Sequence, residues 1–88
     1  MKQVKKRLIN ILNKQMLIDK KLINENALLE KNLAINNQEF NLLLYYCERD
    51  MKINIPDGQI NLSQNVNEFA SSIYNIKKLN SNKLLKAC

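Results

Sequence analysis

The chain has no histidine, no threonine, one glycine, one proline and two cysteines among its 88 residues. Each scarcity excludes something. Without histidine there is no Ser-His or Cys-His nucleophile pair and no imidazole metal site. Cys47 and Cys88 give no metal-ligand spacing, and nothing about them demands an oxidising compartment. The first serine is Ser63, followed by Ser71, Ser72 and Ser81, so the N-terminal two-thirds carries no hydroxyl nucleophile except tyrosine. No apolar run approaches the length needed to span a bilayer. The basic start, Met1-Lys2-Gln3-Val4-Lys5-Lys6-Arg7, is followed by Asn10, Asn13 and Lys14, which reads as the start of a helix and not as a signal peptide. A cytoplasmic location is expected. Scattered carboxylates and the lack of a Gly-rich phosphate loop offer no catalytic constellation, so no enzyme is expected.

What is present is leucine, isoleucine, lysine and asparagine. Hydrophobic residues make up 45% and charged residues 25%, ordinary for a globular protein. A chain of this length forms one domain with a modest core and marginal stability. The domain is placed at residues 1 to 78, and 79 to 88 form a basic C-terminal extension or frayed helix end. The net charge is +6 and the pI about 9.5. Its distribution matters more than its sum. Lys2, Lys5, Lys6, Arg7, Lys14, Lys20 and Lys21 load the first segment, and Lys77, Lys78, Lys83 and Lys86 the last. The middle is acidic, with Glu25, Glu30, Glu39, Glu48, Asp50, Asp57 and Glu68.

Periodicity predicts an all-α chain. Val4, Leu8, Ile11 and Leu12 recur at helical spacing in a first helix over about residues 2 to 17. A long connection follows, which Leu22, Leu28, Leu29 and Leu33 should pin to the bundle, with a helical turn at 27 to 31. Asn36 and Glu39 have the spacing of a capping box and start a second helix. Its core stripe is Phe40, Leu43, Leu44, Cys47 and Met51, which makes Cys47 a buried free thiol and leaves Cys88 exposed at the terminus. Leu42, Tyr45 and Tyr46 widen the stripe, either as core or as an exposed adhesive face. Pro56-Asp57-Gly58 breaks the chain. A short third helix is predicted at 59 to 62. Asn65 and Glu68 repeat the start signal for a last helix, with Val66, Phe69, Ile73 and Ile76 as its stripe.

Leu33-Ala34-Ile35-Asn36-Asn37-Gln38-Glu39 and, further on, Glu48-Arg49-Asp50-Met51-Lys52-Ile53-Asn54-Ile55-Pro56 together resemble the acyl and peptidyl carrier proteins. That family reads Leu-Gly-(Leu/Ile)-Asp-Ser-Leu, then a helix, then an acidic-aromatic run ending in Ile-x-Ile-Pro. The resemblance covers about residues 4 to 76. It implies a small four-helix bundle with a long first loop, three main helices and a short third one. The family's serine carries a phosphopantetheine arm; Asn37 occupies that position here and Asn36 precedes it. An amide has no hydroxyl to take the arm, so no cofactor and no metal is expected. Family carriers dock partner enzymes through acidic residues on the second helix. Here the partner-binding candidates are Glu39, Leu42, Tyr45, Tyr46, Glu48 and Arg49, a face richer in aromatic and aliphatic anchors.

The expected function is therefore a carrier-like, non-catalytic interaction module, monomeric, associated with acyl, polyketide or peptide assembly enzymes. Two alternatives stand beside it. One is a small basic helical protein binding nucleic acid or an anionic membrane. The other is a carrier using a cysteine thioester at Cys47 or Cys88.

Overall fold

The computed structural model describes residues 2–56 and 58–87, with side chains described as far as Leu79. The protein is mostly helical: α1 (Lys2–Asn10), α2 (Asn37–Met51) and α3 (Val66–Ala87), with a π-helical segment (Ile11–Gln15) continuing α1 and a 3-10 turn (Lys20–Leu22) in the long connection. Among the described residues there is no strand, only an isolated antiparallel bridge between Leu28 and Asn65. No helix is long and apolar enough to cross a membrane among those residues.

The core is the one the periodicity predicts. Val4, Leu8, Ile11 and Leu12 from the first helical unit meet Phe40, Leu43, Cys47 and Met51 from α2 and Val66, Phe69, Ile73 and Ile76 from α3, all buried. Phe40 and Phe69 meet edge to face with ring centroids 6.1 Å apart, which ties α2 to α3 through a favoured quadrupole geometry. Leu44 packs half-buried against this core.

Both capping boxes form. Asn36 Oδ1 accepts from the Glu39 N–H at 2.8 Å, and Glu39 Oε1 accepts from the Asn36 N–H at 3.0 Å. At α3 the same exchange joins Asn65 and Glu68, at 2.7 and 3.0 Å. The two N–H groups of α3 that a box leaves over, Val66 and Asn67, donate to the carbonyls of Ala27 and Glu25, each at 3.0 Å. The long connection thus terminates α3 with its own backbone, and the Leu29 N–H donates to the Gln64 carbonyl in the same ladder. Lys5 adds a 2.8 Å ion pair to Glu25.

The connection differs from expectation in two ways. Leu29 and Leu33 are buried and Leu28 is half-buried, but Leu22 is 53% exposed and pins nothing. The expected helical turn lies slightly later, a single turn at 29–32 closed by the Asn32 and Leu33 N–H groups on the Leu28 carbonyl, and a 3-10 segment that was not expected precedes it.

The short third helix predicted at 59 to 62 does not form; turns and bends occupy residues 58–64. Asn61 Oδ1 accepts from the Ser63 N–H at 3.1 Å and also from the Ser63 hydroxyl. Such side-chain bonds to local backbone compete with the helical ladder. Ile60 enters the core from this stretch, and half-buried Leu62 packs against it. The last helix begins as expected and runs to Ala87. The expectations for Lys83, Lys86 and Cys88 lie outside the described residues and side chains.

Candidate functional site

The Asn36-Asn37 turn is built by the connection before it. Asn32 Oδ1 accepts from the Leu28 N–H at 2.7 Å, and the Ile35 N–H donates to the Leu29 carbonyl at 3.0 Å. Between these anchors Ala34 takes a φ of 56°, in the left-handed region that glycine enters freely and a Cβ disfavours. Buried Leu33 and Ile35 on either side hold it there. Asn36 then caps α2, and Asn37 is its first residue, exposed to solvent. Asn37 presents a carboxamide at that point and no hydroxyl.

The docking candidates on α2 divide into two groups. Leu42 and Tyr45 are 43% and 48% exposed, so they do not complete the core. Tyr46 is half-buried against the core, with its ring centroid 6.1 Å from that of Tyr45. The Arg49 guanidinium donates to the Tyr45 hydroxyl at 2.8 Å and sits 5.6 Å from the Tyr45 ring centroid. That hydrogen bond to Tyr45 raises the Arg49 pKa further, so its charge is permanent. Leu42, Tyr45, Tyr46 and Arg49 are brought together at positions i, i+3, i+4 and i+7 of one helix.

Glu39 and Glu48 are not part of that cluster. Glu39 is spent on the capping box. Glu48 points to the segment after the helix, where its carboxylate accepts from the Ile55 N–H at 2.8 Å. Its carbonyl accepts from the N–H groups of Lys52 and Ile53. Lys52 is the left-handed C-cap of α2, with φ 54°. Glu48 therefore holds the Ile53-Asn54-Ile55-Pro56 segment against the end of the helix.

Beside the aromatic cluster is a shallow cleft of about 380 Å3 between the π-helical segment and α2, lined by Ile11, Gln15, Tyr45, Tyr46, Arg49 and Asp50. Ile11 is a core residue at the bottom of the cleft and Gln15 an exposed one at its edge. Both belong to the π turn, which the Met16 N–H closes on the Ile11 carbonyl at 3.1 Å. Asp50 bounds the cleft with its carboxylate and carbonyl both engaged by Arg7 Nη1, each at 3.2 Å.

Cys47 is fully buried and free, as its place on the apolar stripe predicts. Burial, with the nearby charges of Asp50 and Glu48, pushes its thiol up to about 12. It offers no thiolate at neutral pH. No group of acidic, cysteine or histidine side chains among the described residues could hold a metal ion.

No family model, no curated protein and no solved structure matches this chain.

Proposed function

We propose that this chain is a carrier-like interaction module without a prosthetic group, one that binds acyl, polyketide or peptide assembly enzymes through α2. The observation that carries the proposal is the turn before α2. The resembled motif has glycine, then one residue, then aspartate and serine; here Ala34 stands at the glycine position with a φ of 56°, and Asn36 and Asn37 follow as cap and first helical residue. A left-handed backbone where the motif has glycine supports a carrier frame that the letters alone only resemble. The absence of a hydroxyl at Asn37 means that the residues present do not fit phosphopantetheine, and no step of the proposed activity passes through that group. On this reading α1, α2 and α3 stand for the three main carrier helices, with turns in place of the short third one.

Docking rests on the exposed Leu42, Tyr45 and Arg49 with half-buried Tyr46 behind them. Tyrosine and arginine are the side chains that most often dominate interface energetics, and the Arg49–Tyr45 contact pre-orders both. Glu39 and Glu48 each give one carboxylate oxygen to a backbone N–H of the frame.

A phosphopantetheinyl transferase with coenzyme A, read by intact mass, tests this. The wild-type chain is expected to stay unmodified and Asn37→Ser to gain the mass of the arm. Loading of the wild-type chain overturns the loss of the prosthetic group. An unmodified, folded Asn37→Ser variant removes the carrier frame as the basis of the proposal.

A further inference from the structure

The π-helical segment ends in an unusual place. Leu17 follows it with a φ of 59° and is 84% exposed. The Ile18 N–H donates back to the Leu12 carbonyl at 3.1 Å, and Asn13 Nδ2 donates to the Ile18 carbonyl at 2.9 Å. This is the left-handed helix stop that glycine normally fills. Leucine there bears the steric cost of a positive φ and the cost of apolar surface in water, with no packing gained inside the molecule. Strain of this kind points toward a use outside the folded chain.

The surroundings say what that use is. Leu22, a second exposed leucine, lies at the end of the adjoining 3-10 turn. Lys14, Lys20 and Lys21 flank the two leucines, are exposed, and have no ion-pair partner among the described residues. Asp19, between them, is exposed and accepts from the Lys21 N–H at 3.0 Å, which leaves three lysines against one carboxylate at this end. The same cationic surface continues along α1 as a groove of about 980 Å3, whose lining includes Lys2, Lys6, Lys14 and Lys20 with Ile9 at its floor.

We propose that this end of the molecule docks on an anionic phospholipid surface, with Leu17 and Leu22 inserted among the acyl chains and Lys14, Lys20 and Lys21 against the headgroup phosphates. Protruding apolar side chains ringed by cations complement a layer that is anionic at its surface and fluid and apolar beneath it. A nucleic acid would satisfy the lysines but leave both leucines in water.

Vesicle flotation of the 88-residue chain tests the proposal, comparing phosphatidylcholine alone with phosphatidylcholine mixed with phosphatidylglycerol. Binding is expected only with the anionic lipid and should weaken as salt is raised. Leu17→Gly, which keeps the left-handed stop, should unfold at the same or a higher temperature yet bind these vesicles about tenfold more weakly. Leu22→Ala should weaken binding in the same direction. The proposal is overturned by failure to bind at low salt, by equal binding to both vesicle types, or by undiminished binding of a folded Leu17→Gly variant. Preferential binding to duplex DNA or to an acidic polypeptide that ignores Leu17→Gly overturns it too.

Discussion

The Glu48 carboxylate accepts a hydrogen bond from the Ile55 backbone N–H at 2.8 Å, across seven residues of sequence. With its carbonyl on Lys52 and Ile53, this one residue organises the exit from α2. It gives the Glu-Arg-Asp-Met-Lys-Ile-Asn-Ile-Pro run a mechanical meaning. The glutamate is placed to clamp the extended Ile53-Asn54-Ile55 piece whose Ile53 enters the core.

Replacing Glu48 should therefore act on stability and not on docking. Glu48→Ala leaves a part-buried N–H without its charged acceptor and should cost about 1–3 kcal/mol in urea unfolding. Glu48→Gln keeps an acceptor oxygen and should cost less. An unchanged midpoint for Glu48→Ala would show that the clamp contributes nothing.

Ala34→Gly should raise the melting temperature. Glycine relieves the left-handed strain at φ 56° but brings a more flexible unfolded chain, for a net gain of roughly 0.5–1 kcal/mol. A destabilised variant would mean that the Ala34 methyl matters more to the surrounding contacts than its backbone conformation does.

Cys47 titrates in a direction that links it to stability. Its thiol is pushed from 9.0 to about 12, so the folded state holds a proton that the unfolded state releases first. The stabilising contribution is complete below about 9 and is lost as pH rises toward about 12. In a Cys88→Ala background, alkylating reagents should leave the native protein unlabelled at neutral pH and label it in denaturant. Cys47→Ala should flatten the alkaline fall of the urea midpoint relative to that background. Native labelling at the full unfolded rate would contradict the burial.

Tyr45 and Tyr46 are neighbours in sequence with different duties. Tyr45→Ala and Leu42→Ala, at exposed sites, should shift stability by no more than about 0.5 kcal/mol. Tyr46→Ala removes a ring packed on the core and should cost about 1–3 kcal/mol. A large loss from Tyr45→Ala would assign that ring to the fold and remove it from the docking face.

What could be read from the sequence was local. The two Asn-x-x-Glu boxes announce the starts of α2 and α3 because the side chains that satisfy the orphan N–H groups lie within three residues of them. The core stripes are equally plain, since burial follows helical phase. What escaped depends on distant or unusual backbone. Nothing near Glu25 or Ala27 signals that their carbonyls receive the Asn67 and Val66 N–H groups. A left-handed Leu17 or Lys52 breaks the residue preferences that would announce it. At the candidate site, the Asn36-Asn37 turn and the aromatic face were legible. The structural employment of Glu48 was not, because a carboxylate reads as surface charge until its backbone partner is placed.

The carbonyls of Glu25 and Ala27 also decide which parts of the chain come apart together. The first amides of a helix normally exchange their hydrogens with solvent almost at once, since no turn precedes them. Here the amides of Val66 and Asn67 are covered by a segment some forty residues upstream, Val66 itself being wholly buried. Their protons leave only when that segment lifts away, so their exchange rates time the opening of the connection and not the fraying of α3. The connection is thus an integral part of the helix it touches, and the two open as one unit.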